Sequence, residues 1–209
     1  MGRNHIKRLA APKTWPIERK KNKWITAQNP GPHSLDRSLS LGVVLREILC
    51  YAKTTKEAKH ILNTGKVKVD NIVRKDHKFA LGLMDVLTLE GTKENFRMLL
   101  DTRRKLFLHK IDPKDAMLKP RKIIGKQKLD GNKTQITCYD GFNKNVGKEK
   151  YNVSDTLLFD IDKNEVKERL VLEKGSSIYI TAGKKAGVVG VVKEIKNSDG
   201  IRPAMIVFN

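Results

Sequence analysis

The chain has 209 residues, enough for one compact domain or two to four small ones. It carries 43 Lys and Arg against 23 Asp and Glu, a net charge of +20, and such self-repulsion calls for a polyanionic partner, as an ordinary globular enzyme does not. A membrane surface is a poor candidate: no apolar run approaches the roughly 20 residues that span a bilayer, and no apolar h-region follows the basic N-terminus.

The charge is uneven. Residues 1–130 hold 30 basic and 13 acidic groups, and residues 131–209 hold 13 and 10. A basic first part is the footprint of nucleic-acid binding. Residues 1–40 lack apolar periodicity and are punctuated by Pro12, Pro16, Pro30 and Pro32, so they read as an extended arm. Both tryptophans, Trp15 and Trp24, lie there among Lys7, Arg8, Lys13, Arg19, Lys20, Lys21 and Lys23, with Arg3 before them and Arg37 after. An arm of this composition is disordered by itself and orders on RNA. Its cations neutralise phosphates, and its tryptophans stack on splayed bases. The alternative is that one tryptophan, Trp24 sooner than Trp15, folds back as a lid on the next domain.

Leu41, Val44, Leu45, Ile48, Leu49 and Ala52 follow the spacing of an amphipathic helix. Thr54 to Glu57 form a capping box that opens a second helix, with Ala58, Ile61 and Leu62 facing in and Gly65 placed to end it. VKV (67–69) and IV (72–73) make a hairpin about Asp70-Asn71, and VLTL (86–89) is a further strand. Arg46 and Lys53 on the first helix, Lys56, Lys59, His60 and Asn63 on the second, and Lys66 and Lys68 beyond it are expected to form one basic ridge. The narrow A-form major groove excludes side chains, so such a ridge would meet phosphates and 2′-hydroxyls.

Strands follow at 96–101, 105–111, 134–139 and 155–161, with a short helix opening at Pro113 and capped by Asp112. DG (140–141) and DKN (162–164) are turns. From 171, strands at 177–181, 187–195 and 204–208 flank the basic loop AGKKAG, and this spacing suggests a small barrel. Cys50 and Cys138 lie in different segments and read as free thiols of a reducing compartment.

Catalytic and cofactor motifs are missing. GNKT (131–134) lacks the order of a phosphate-binding loop, and Gly183, Gly187 and Gly190 do not fit a dinucleotide fingerprint. His5, His33, His60, His77 and His109 show no metal-ligand spacing, and no nucleophile, base and stabiliser stand in evident roles. No catalytic residue, metal or cofactor is expected.

EAKHILNTGKVKVDN (57–71) resembles the S-four-type RNA-binding domain, or α-L motif, with Thr54-Thr55 where that domain usually has Ser-Arg. HIKRLAAPKTWP (5–16), VRKD (73–76), GLMDV (82–86), FRMLLD (96–101), YNVSDTLL (151–158) and the KOW-like LEKGSSIYITAGKKAGVVGVVKEI (172–195) widen the likeness. Together they resemble the archaeal and eukaryotic "e" type of the small-subunit ribosomal protein S-four family, in order over essentially the whole chain. Asn71 stands where that family usually has Gly, and Arg103-Arg104 replaces a Gly turn; many members continue beyond the position of Asn209.

The resemblance implies an α+β multidomain protein: an arm at 1–40, an S-four-type domain at 41–92, a central β-rich domain at 93–170 and an SH3-like KOW barrel at 171–209. It implies a structural, non-enzymatic constituent of the small ribosomal subunit in the cytoplasm. Ribosomal RNA and neighbouring ribosomal proteins are its expected partners; a membrane and a free homo-oligomer are not. Beside the arm and ridge cations and Trp15, Lys184 and Lys185 of the KOW-like loop are expected RNA contacts. The competing readings are an RNA-modifying enzyme that uses the S-four unit for delivery, and a transcription factor with a KOW domain.

Overall fold

A computed structural model describes residues 5–129, 133–146, 151–196 and 205–209. It is mostly β, with few helices and several antiparallel sheets. The chain divides into two compact units, the first mainly Met1–Leu100 and Arg104–Lys119, the second mainly Pro120–Phe159 and Val166–Asn209.

The first unit opens with β1 (His5–Lys7), which pairs antiparallel with β2 (Trp24–Thr26). Strand alternation sends Ile6 and Ile25 to one face and His5, Lys7, Trp24 and Thr26 to the other. Ile25 is buried. The expectation of an arm without a core is corrected here, since Trp15, Ile25, Ala27 and Leu39 are all buried. The polar backbone of the 8–23 loop is satisfied from within: the Arg19 guanidinium donates to the carbonyls of Arg8, Leu9, Ala11 and Pro12 at 2.8–3.3 Å. One of the expected RNA cations therefore staples the loop that carries it.

Strand β3 (Ser38–Ser40) pairs with β6 (Ala80–Gly82). The helix that follows begins as α1 (Leu41–Val43) and widens at once into a π turn over Val44–Ile48, where the Leu49 amide reaches the Val44 carbonyl at 2.9 Å. It does not run to Ala52 as its apolar spacing suggests. Cys50 takes a left-handed conformation, φ 57°, and the amides of Tyr51 and Ala52 both turn back to the Leu45 carbonyl. In α2 (Thr55–Asn63) the expected capping box is present, with Thr54 Oγ1 accepting from the Glu57 amide at 3.2 Å. Gly65 ends the segment at φ 76°.

β4 (Val67–Val69) and β5 (Ile72–Val73) are joined by Asp70 and Asn71, both at positive φ, the two-residue turn that suits strand twist. With β7 (Val86–Leu89), β8 (Glu94–Leu100) and β9 (Leu106–Ile111) they form a five-stranded antiparallel sheet in the order β5-β4-β7-β8-β9. Leu62, Leu87, Met98 and Leu106 are fully buried in this unit. The single-turn α3 (Pro113–Ala116) starts at Pro113 as expected, but Asp112 makes no side-chain cap bond.

The other five-stranded sheet contains the long β10 (Leu118–Leu129), β11 (Lys133–Cys138), β12 (Asn143–Val146), β13 (Thr156–Asp160) and β14 (Glu165–Leu170), in the order β12-β11-β10-β13-β14. Ile123, Ile136, Cys138, Leu157 and Phe159 form the core of the second unit. Arg121 lies over Phe142 and Phe159 at 4.1 and 4.9 Å and pairs with Asp140 at 2.7 Å. A three-stranded antiparallel sheet, β15 (Ser177–Tyr179), β16 (Val189–Lys196) and β17 (Met205–Phe208), completes it.

Candidate nucleic-acid interface

The expected RNA contacts separate into surface groups and groups the fold has used. Trp15 is fully buried, and its indole Nε1 donates to the Leu35 carbonyl at 3.1 Å. It has no free face for a base, so the stacking role expected of it is corrected. Arg8 is also buried, its guanidinium paired with Glu47 and donating to the Glu18 carbonyl at 2.8 Å. A phosphate contact at Arg8 is corrected for the same reason: its charge is already matched inside the protein. Burial works against the Glu47 carboxylate, but hydrogen bonds from Arg8 and Arg46 outweigh it and hold its pKa below the usual range.

Several other cations are partly engaged. Arg19 holds loop carbonyls, Arg37 is half-buried, and Lys68 Nζ lies 2.6 Å from Glu90. Lys7, Lys13, Lys20, Lys21 and Lys23 are exposed; Lys21 is only loosely bridged to Glu18, at 3.8 Å. On and beside α2, Lys53, Lys56, Lys59, His60, Asn63 and Lys66 are exposed as the helical spacing predicts. Ala58 and Leu62 anchor the opposite face. In the second unit, Lys184 and Lys185 are exposed in the loop between β15 and β16. Arg3 lies outside the described residues.

Reading the sequence element by element missed a cationic hollow of about 400 Å³ between the β1–β2 ribbon and the first two helices. Trp24, half exposed, lines it together with Arg46, Lys59, His77, Lys78 and His5. The available signal was the alternation in β1 and β2, which puts His5 and Trp24 on one face, but three-residue strands are too short to read. Arg46 is oriented by Thr55 Oγ1 at 2.8 Å and Glu47 Oε1 at 2.7 Å. Burial, then the nearby Lys59 charge, pushes the His77 pKa below the usual imidazole value. Among the described residues, no group of three or more His, Cys, Asp or Glu is placed to hold a metal ion, and no helix is long and apolar enough to cross a membrane.

Residues 92–166 match the family described as Ribosomal family S4e, and residues 1–36 match the RS4NT (NUC023) domain. The small ribosomal subunit protein eS4 of Methanosphaera stadtmanae is 41% identical over 93% of this chain and 80% of its own length. This chain belongs to the S4e family. The eS4 protein of Nanoarchaeum equitans is 40% identical over 94% of this chain and 84% of its own. The crystal structure of the 30S ribosomal protein S4e from Thermoplasma acidophilum is similar at a TM-score of 0.73 and 29% identity, over 83% of this chain and 88% of that one.

Proposed function

We infer that this S4e protein is a structural constituent of the small ribosomal subunit, that it serves translation in the cytoplasmic ribosome, and that it is not an enzyme. The observation that carries this reading is similarity along nearly the whole chain, 93% of it at 41% identity to one small-subunit protein, where a shared single domain would carry little. Its partners are ribosomal RNA and neighbouring ribosomal proteins.

The division of labour follows the residues. Stretch 41–92 acts as the S-four-type RNA-binding unit; the capped α2 and the tight β4–β5 hairpin support this. Stretch 93–170 is the central β domain. Stretch 171–209 is the KOW unit of SH3-like type, which the β15–β17 sheet and the exposed Lys184 and Lys185 support. Stretch 1–40, folded over its described residues 5–40, serves as a basic flank of the S-four unit, presenting Lys7, Lys13, Lys20, Lys21 and Lys23 to phosphates. Contacts of this kind draw affinity from counterion release and fix position without reading base sequence.

Sedimentation of a native extract through sucrose, at low and high salt, tests the reading. Co-migration with small subunits that survives high salt is expected. A chain left at the top of the gradient, or stripped by modest salt, would overturn it.

A further inference from the structure

We propose that the hollow between the β1–β2 ribbon and the first two helices is a pocket for one unstacked RNA nucleotide, its base on Trp24 and its phosphate on Arg46 and Lys59. The proposal rests on the rRNA-binding reading above and names a site within it.

The lining sets the ligand's charge. Arg46, Lys59 and Lys78 all face the hollow, and no Asp or Glu is among the residues that line it. Glu47, the nearest acid to Arg46, is committed to Arg8 and Arg46. An anion is therefore the complementary occupant. Volume sets its size: about 400 Å³ lies within the range of roughly 300–1,000 Å³ that holds a small organic group, and a bare phosphate would leave most of it empty. Trp24 sets its shape. A large indole left half exposed on the lip of a cationic hollow offers a face to a planar ring. Lys23 Nζ lies over one face of that indole, 5.6 Å from its centre, which leaves the other face for a base and puts a cation beside the flanking backbone. Ring plus phosphate is a nucleotide.

The pocket is preformed. The His77–Lys78 segment is pinned by the Gly42 amide on the His77 carbonyl at 2.8 Å and the Asn29 amide on the Lys78 carbonyl at 2.9 Å. Arg46 spends two of its five donors on Thr55 and Glu47 and keeps the rest for a ligand. His77, whose pKa burial and the Lys59 charge lower against the pull of Asp76, offers the edge of a base a hydrogen-bonding group. Pre-organisation of this kind lowers the ordering cost of binding.

A free nucleotide and a nucleotide within RNA share this chemistry. RNA is favoured because the exposed lysines on α2 and on the 20–23 loop can hold the flanking phosphates, which raises the local concentration of the inserted nucleotide.

The test uses the full chain and two RNA stems, one fully paired and one with a single bulged 2-aminopurine, with adenosine monophosphate as a third probe. The bulged stem is expected to bind about tenfold tighter than the paired one, with its 2-aminopurine emission changed on binding. Trp24→Leu should remove most of that tenfold while leaving the paired stem within about threefold; Lys59→Gln, which also belongs to the phosphate-facing side of α2, should weaken both stems, the bulged one more. Equal affinity for the two stems, with unchanged emission, would overturn the pocket. Adenosine monophosphate binding as tightly as the bulged stem would overturn its assignment to RNA. The emission comparison on the unaltered chain decides even if Trp24→Leu fails to fold. Retained binding of the paired stem and retained co-sedimentation with small subunits would show that only the pocket, and not the ribosomal role, had failed.

Discussion

Lys119 and Asp85 form a buried ion pair, Nζ to Oδ1 at 2.6 Å, in which each side chain is almost wholly withdrawn from water. The same ammonium lies 2.5 Å from Asp70 Oδ2, and His33 Nε2 lies 3.1 Å from Asp85 Oδ1. The carboxylates are also used by the backbone: Asp70 accepts from the Val86 amide at 3.0 Å and Asp85 from the Gly82 amide at 2.8 Å. One lysine thus ties the β4–β5 turn, the β6–β7 connection and the start of β10 together. Lys119→Met would strip the shared ammonium from the buried Asp85 and the partly buried Asp70, leaving only His33 beside Asp85. It is expected to lower stability by about 3–5 kcal/mol, read as a shift in the denaturant midpoint. A shift near zero would mean that the cluster is not what holds these segments.

The same cluster gives the protein an acid limb. Burial works against the Asp85 carboxylate, but Lys119 and the His33 hydrogen bond outweigh it and hold the pKa at about 2 against an ordinary 3.8. A carboxylate with a depressed folded pKa stabilises the fold fully above its unfolded value and loses that stabilisation as pH falls through the folded one. The contribution, on the order of 2 kcal/mol, is present above about pH 4 and lost toward about pH 2. Asp70 runs the other way: burial, then the Asp85 charge, raises its pKa, so its share weakens as pH rises above 3.8. In Asp85→Asn the steep acid loss disappears, and Asp70, freed of its neighbour, moves down. Denaturant midpoints measured between about pH 5 and 2 should show a shallower acid limb for this variant; an unchanged limb would assign it elsewhere.

The two tryptophans should separate cleanly by experiment. Trp15→Ala removes a fully buried indole and its bond to Leu35, and a loss of about 3–5 kcal/mol is expected. Trp24→Ala, at a half-exposed position, should change stability by no more than about 1 kcal/mol. Arg8→Ala belongs with Trp15: it strips a buried partner from Glu47 and should destabilise the fold while leaving the salt dependence of RNA binding unchanged. Calorimetry and a salt titration on the same variants check both halves. A stable Arg8→Ala protein with a reduced salt slope would return Arg8 to the RNA interface.

The stretch from Thr54 to Val73 was legible because its signals are local. The Thr54–Glu57 box, Gly65 and the Asp70-Asn71 turn each act within a few residues, and each is in place. The first helix misled, because apolar spacing registers the face of a helix but not a π turn or a left-handed stop at Cys50. The strands of residues 1–40 were invisible for a different reason. They are three residues long, and their core is assembled from Trp15, Ile25 and Leu39, far apart in sequence. Charge was the least legible feature. Composition counts Arg8, Arg19 and Lys119 with the surface lysines, but only packing shows that they staple loop carbonyls or neutralise buried acids.

That distinction makes the last prediction quantitative. Lys56, Lys59 and Lys66 are exposed and form no ion pair among the described residues, whereas Lys68 is already matched by Glu90 at 2.6 Å. A lysine that displaces a counterion from RNA contributes roughly 0.7–0.9 to the slope of log affinity against log salt. Lys56→Gln, Lys59→Gln and Lys66→Gln should each lower the slope by about that amount. Lys68→Gln should lower it by clearly less, because breaking the Glu90 pair offsets the counterion gain. Filter binding of a structured rRNA fragment over a range of salt gives all four slopes. Equal reductions would mean that Lys68 leaves Glu90 on binding, and no reduction at all would take the α2 face out of the interface.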